Sequence, residues 1–150
     1  GLTGAIVGDT AHSRVASSKM GLLTKMGANV RVIAPLELMP EKLAAEGVDK
    51  FTDLNEGLSG ADVVMSIRPQ KERMDKVLIH DAAYFNDYGL THERLAHAKK
   101  EAIVLDPGPF IRGLQISDEL AEDKTRFLYA PQVANGIPTR MAVLDLLLEG

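Results

Sequence analysis

Three short segments hold the residues whose types and spacing could do chemistry. The first is Asp9-Thr-Ala-His-Ser-Arg14, which leaves an apolar run and enters a helical pattern. Free amides at a helix start favour anions, whereas Arg14 in the first turn stands against the helix dipole. Two readings are open. Arg14 pairs with a nearby carboxylate such as Asp9, or it holds a dianionic ligand or another domain's carboxylate. The second segment is Ser66-Ile-Arg-Pro-Gln-Lys-Glu-Arg73, directly after another apolar run. Arg68 offers a planar fork that matches a carboxylate, and Gln70 brings both a donor and an acceptor. Such a charge run is ordinarily a solvated loop, but its place at the end of a buried strand argues for a site. The third is Asp106-Pro-Gly-Pro-Phe-Ile-Arg-Gly113. Its prolines lack amide donors, which leaves carbonyls able to accept from a small amide or amine in a cleft. The bland reading is a tight strand-ending turn.

Two other chemistries fail on spacing. Gly8-Asp-Thr-Ala-His-Ser13 has only the first glycine of G-x-G-x-x-G, and the strand ending Ile33-Ala-Pro35 carries no carboxylate for a ribose. A nicotinamide cofactor is therefore not expected. His92-Glu-Arg-Leu-Ala-His97 is one residue longer than H-E-x-x-H. Five residues along a helix turn the second histidine away from the first, so no shared metal is expected. The chain has no cysteine, which excludes disulfides, thiolate metal sites and a cysteine nucleophile.

These segments need elements to position them. Leu2–Val7, Asn29–Ala34, Ala61–Ile67 and Ala102–Leu105 read as buried strands, apolar throughout rather than alternating. Between the first two, Ser13 can cap a helix that ends at a left-handed Gly27. Further helices are expected at Pro40–Glu46, after an Asp53 capping box, from Thr91 to about Lys100, at Ser117–Glu122, and at Pro138–Leu148. Gln70–Val77 reads as a short helix or ordered loop, and Phe127–Tyr129 as a last short strand. Alternating strands and helices predict a three-layer, doubly wound parallel sheet, Rossmann-like, with helices on both faces. All three segments then fall at carboxyl ends of strands, where such sheets bind ligands. Met141, Leu144 and Leu148 share one face of the closing helix, and Val143, Leu146 and Leu147 make its other sides apolar. A helix apolar nearly all round requires burial on more than one side.

The chain's 150 residues suit one domain. With 45% hydrophobic and 25% charged residues and a net charge of −4, it has no global attraction for nucleic acid or anionic membrane. No apolar run is long enough to span a bilayer, and Gly1-Leu-Thr-Gly4 is not a signal peptide but reads as a cut or processed end. A soluble, cytoplasmic protein is expected.

Together the segments resemble the second domain of the carbamoyltransferase family, on its aspartate branch. Gly8-Asp-Thr-Ala-His-Ser-Arg-Val-Ala-Ser17, Arg68-Pro-Gln-Lys-Glu-Arg73, Pro107-Gly-Pro109 with Arg112-Gly113, and Asn135-Gly-Ile-Pro-Thr-Arg-Met-Ala-Val-Leu144 fall in that domain's order and spacing over essentially the whole chain. R-x-Q-K-E-R is the most specific element; the S-M-G loop and H-C-L-P motif of the ornithine branch are missing. The resemblance implies that the amine of L-aspartate attacks carbamoyl phosphate, giving N-carbamoyl-L-aspartate for pyrimidine synthesis, with no metal or organic cofactor. It implies that Arg14 and Arg68 hold aspartate's carboxylates and Gln70 orients it. The carbonyls around Gly108 and Pro109 would receive the carbamoyl amide, while Arg73 and Arg112 brace the loops. The partners implied are a carbamoyl-phosphate-binding domain, whose S-T-R-T and H-P-T-Q motifs are absent from this chain, and a homotrimer of the full chain. The chain alone would be inactive. One position departs from the family: Asp106 stands where members usually carry His. A carboxylate there would repel substrate unless paired, and Arg112 is the candidate partner. The alternative is a non-catalytic carbamoyltransferase-like module that binds a partner protein or a small anion.

Overall fold

The computed structural model describes residues 1–74 and 79–148. Among these residues five strands form one sheet: β1 (Thr3–Gly8), β2 (Asn29–Ile33), β3 (Val48–Phe51), β4 (Val63–Ile67) and β5 (Ile103–Leu105). Their order is β3-β2-β1-β4-β5 and every pairing is parallel. Successive side chains along a strand face opposite sides, and both sides are apolar. Ala5, Val7 and Val64 join one buried cluster, whereas Ile6, Met65 and Ile67 join the other. That two-sided burial explains the unbroken apolar runs.

Helix α1 (Arg14–Lys25) covers the second cluster with Ala16 and Met20. The other face is covered by α2 (Leu54–Leu58), α3 (Asp81–Tyr88), α4 (His92–Leu95) and α5 (Asp118–Glu122). The three-layer α/β expectation holds, with one qualification. Beside α1, its face keeps an apolar groove along Gly4, Ile6, Leu23, Met65 and Leu105. The caps sit where the sequence placed them. Ser13, Asp53 and Thr91 each accept a backbone N–H three residues on, and Gly27 ends α1 at φ 80°; Ser117, expected as the first helical residue, is likewise the cap of α5.

Several elements differ from expectation. Pro40–Glu46 forms bends and a turn, not a helix; Lys50 Nζ donates to the carbonyls of Pro40 and Glu41, drawing that segment against β3. The helix capped by Thr91 stops at Leu95. The Gln70–Val77 segment has one tight helical turn, Lys71–Arg73, and its residues 75–77 lie outside the described residues. Phe127 makes only an isolated bridge to Val104, because Tyr129 already begins the closing helix. That helix, α6 (Tyr129–Leu148), starts nine residues before Pro138 and holds it in its interior. Proline there removes an amide donor to Ala134; α6 has no buried residue, so water can reach the freed carbonyl. Among the described residues no helix is long and apolar enough to cross a membrane.

Candidate functional site

The strand order reverses between β1 and β4, and ligands of open parallel sheets sit in the crevice at that switch point. Gly8 closes β1 at φ 122°. A Cβ there would lie 1.9 Å from the Ile67 carbonyl oxygen and 2.9 Å from the Tyr84 hydroxyl, so only glycine lets the strand ends approach this closely.

The two loops leaving these strands are stitched together by Asp9, which is fully buried. Its Oδ1 accepts from the His12 N–H (3.1 Å) and lies 2.9 Å from His12 Nδ1, while its Oδ2 accepts from the Gln70 N–H (2.8 Å). Arg73 adds a second tie, donating to the His12 carbonyl at 2.9 Å. Asp9 is thus committed to His12 and Gln70. Among the described residues Arg14 forms no ion pair, so the Asp9–Arg14 pairing is not formed. Arg14 stands exposed at the first position of α1.

Arg68 is fixed by its own loop. Glu72 receives both guanidinium nitrogens, at 3.1 and 2.6 Å, and Nη1 also donates to the Pro69 carbonyl at 3.2 Å. The Arg68 hydrogen bond holds the Glu72 carboxyl down at about 2, well below its ordinary value. Glu72 shows what this fork is shaped to take: a carboxylate, bound bidentately. Gln70 Nε2 turns back to the Arg68 carbonyl at 3.3 Å.

Across the crevice stands the Pro107–Gly108–Pro109 arch, with Gly108 at φ 71°. Arg14, Arg68, Gln70, Arg73, Gly108 and Pro109 line one cleft of about 250 Å³, together with Glu72 and Asp106. Of the residues singled out from the sequence, Arg112 alone lies elsewhere. It pairs with Glu122 at 2.6 Å and stands over the Phe110 ring at 5.9 Å. The expected Asp106–Arg112 pair is therefore absent. The α5 acids, Asp118 and Glu122, meet the Arg112 fork at the surface without the cost of burying a guanidinium. Asp106 instead lies in the floor, 1% exposed. Burial pushes its carboxyl above the usual range, opposed by the Gly108 amide, Gln115, the Ser66 hydroxyl and Arg68.

Sequence reasoning missed Asp9 as a staple and Glu72 as the partner of Arg68. The Arg68–Glu72 spacing of four was the available signal for the latter. Asp9 reaches Gln70 across 61 residues, which no local pattern reports.

Comparison with known proteins places the chain in a family. Residues 1–147 match the model of the aspartate/ornithine carbamoyltransferase Asp/Orn binding domain. The aspartate carbamoyltransferase catalytic subunit of Acidiphilium cryptum is 49% identical over 148 residues, 98% of this chain and 48% of that protein. That of Pelagibacter ubique is 45% identical over 150 residues, 99% of this chain and 48% of that protein. The chain thus spans about half the length of the curated relatives it matches. In fold it is similar to the ornithine carbamoyltransferase of Pyrococcus furiosus, at a TM-score of 0.80 and 22% identity over 97% of this chain and 49% of that one. The Burkholderia thailandensis enzyme also gives 0.80, at 19% identity, over 99% and 48%. The chain belongs to the aspartate/ornithine carbamoyltransferase family, as its Asp/Orn binding domain.

Proposed function

We propose that this chain is the aspartate-binding half of an aspartate carbamoyltransferase, transferring a carbamoyl group from carbamoyl phosphate to L-aspartate in pyrimidine synthesis. The observation that carries this reading is the convergence of Arg14, Arg68 and Gln70 with the Gly108–Pro109 arch in one cleft at the switch point. Two guanidinium groups suit a ligand with two carboxylates, and they disfavour a cationic side chain such as that of ornithine. In the reaction the amine lone pair attacks the carbonyl carbon, the bond to the phosphate oxygen breaks, and the departing phosphate takes the proton that the nitrogen gives up. Arg14 and Arg68 hold the two carboxylates, Gln70 helps orient the aspartate, and the arch carbonyls accept from the carbamoyl amide. Arg73 braces the two loops and Arg112 braces the arch through α5. The contribution is positioning rather than covalent chemistry, and it calls for no metal or organic cofactor.

The other half of the machinery, which grips the phosphate, belongs to a carbamoyl-phosphate-binding domain, and the assembled enzyme is read as a cytoplasmic homotrimer. Turnover assays test the proposal. The chain alone should make no N-carbamoyl-L-aspartate, whereas its assembly with a carbamoyl-phosphate-binding domain should make it, and should not use ornithine. In that assembly Arg68→Ala should raise the aspartate KM about tenfold or more, the loss of one charge-assisted bond. An assembly that binds aspartate without turnover would favour a non-catalytic module, and an unchanged aspartate KM would remove Arg68 from the site.

A further inference from the structure

Under the arch lies a closed run of hydrogen bonds to which the reaction as described gives no task. Gly108 is the arch's single amide donor, since both neighbours are proline, and it donates to Asp106 Oδ1 at 2.7 Å. Gln115 Nε2 donates to Asp106 Oδ2 at 2.9 Å, and its Oε1 accepts from the Ile111 N–H at 3.2 Å. Gln132, from α6, pairs with both backbone groups of Asp106, accepting from its N–H at 3.1 Å and donating to its carbonyl at 2.8 Å. Residues 106, 108 and 111 are thereby tied on either side of Pro107 and Pro109. Asp106 and Gln115 are 1% and 2% exposed.

The polarity of this run is forced. The Ile111 N–H can only donate, so the Gln115 oxygen faces it and the Gln115 amide nitrogen faces Asp106. Asp106 then meets a donor on each oxygen, which an ionised carboxylate satisfies and an asparagine does not. In the trans peptide joining Pro107 to Gly108, N–H and C=O point opposite ways. Drawing the Gly108 N–H to the floor turns the Pro107 carbonyl away from it. A buried carboxylate in a cleft for anions is costly, and an ordinary strand-ending turn does not require one.

We propose that Asp106, clasped with Gln115, is a positioning residue that aims the arch carbonyls at the carbamoyl group. This rests on the functional reading above. A polarity swap tests it. Asp106→Asn sets amide against amide, and Gln115→Glu sets carboxylate against carboxylate. The double variant restores each bond of this run with the central one reversed, and the Ser66 hydroxyl beside position 106 can donate or accept as the new amide requires. The new carboxylate at position 115 accepts from both the Ile111 N–H and the new amide at position 106, whose oxygen still accepts from the Gly108 N–H.

Two measurements are made on the chain assembled with a carbamoyl-phosphate-binding domain. Gly108 amide exchange, followed by NMR, should quicken at least about tenfold in each single variant and return in the double. The KM for carbamoyl phosphate should rise about tenfold or more in each single and return to within about threefold in the double. Unchanged Gly108 exchange would overturn the clasp itself. Faster exchange with an unchanged KM would reduce Asp106 to turn structure. A parent assembly with protected Gly108 but no turnover would overturn the functional reading, and the clasp's role with it. Should a single variant not fold, the double decides: restored folding and KM support the clasp, and restored folding with a raised KM overturns it.

Discussion

Replacing Asp9 by asparagine tests whether the crevice is built by one buried acceptor. Asp9 takes two contacts from His12 on Oδ1 and the Gln70 N–H on Oδ2, all at 3.1 Å or less. Asparagine has almost the same shape but one oxygen. If that oxygen keeps the His12 N–H, the new amide nitrogen confronts the Gln70 N–H, and the reverse orientation strands the other loop. Either way a backbone donor and the new side-chain donor are left facing one another. At about 1–3 kcal/mol per buried unsatisfied group, discounted because Gln70 is only half-buried, the cost should be about 2–4 kcal/mol. Against a typical domain stability of roughly 5–15 kcal/mol, the variant should still fold. Urea unfolding followed by far-UV circular dichroism measures it, with the slope unchanged if the denatured state is unaffected. Asp53→Asn is the control. Asp53 caps α2 through the Glu56 N–H at 2.7 Å, and asparagine caps a helix as well as aspartate, so that change should cost no more than roughly 0.5 kcal/mol. A loss below about 1 kcal/mol for Asp9→Asn, or equal losses for both variants, would refute the staple.

Other outcomes follow from the same geometry. Gly8→Ala should prevent the β1 and β4 ends from pairing, since its Cβ would lie 1.9 Å from the Ile67 oxygen; a soluble variant with parent stability in urea would contradict the close approach. The Arg68–Glu72 pair should respond to acid alone. The Glu72 carboxyl is depressed, so its contribution is full above the ordinary value of 4.5 and is lost as pH falls through about 2. The stability difference between parent and Glu72→Gln should therefore be constant from neutrality to about pH 4.5 and vanish near pH 2; a difference that persists at pH 2 would break the assignment. Leu146 and Leu147, 74% and 73% exposed on α6, should drive self-association of the isolated chain. Changing both to Gln should shift sedimentation toward monomer, and a parent chain that is already a clean monomer would count against it.

The strands that carry the site were legible because burial on both faces leaves an apolar run with abrupt ends, as at Val7-Gly8 and Leu105-Asp106. Capping residues were legible for a local reason, since Ser13, Asp53 and Thr91 act on amides only three residues away. The edge strand β3 was not. Val48-Asp-Lys-Phe51 carries two charges that an edge tolerates, and its pairing with β2 is a tertiary fact. Helix α6 was read too short because Gly136 and Pro138 are helix breakers by propensity, a weak prior that context overrode. Within the site, Arg14, Arg68, Gln70 and the arch were visible as residue types at strand ends. Their supports were not: Asp9 with Gln70 and Asp106 with Gln132 pair across 61 and 26 residues.

The supports also explain how an acidic chain presents a cationic cleft. The net charge of −4 would disfavour a dianion if the acids faced it equally. Asp9 lies in the interior, its oxygens turned to backbone amides and His12, so it shapes the loops without competing for the rim. Asp106 is likewise bound by Gly108 and Gln115 from below. The one acid that forms an ion pair with an arginine of the rim, among the described residues, is Glu72, 52% exposed at its side chain. An ion pair whose acid is open to water is readily exchanged, so a ligand carboxylate can take over the Arg68 fork while Glu72 returns to water. Arg14 needs no such exchange among the described residues. The cleft's field is therefore local, made by arginines at the surface over carboxylates that are already satisfied beneath it. Neutralising a satisfied acid should then harm binding through lost geometry rather than improve it through lost repulsion.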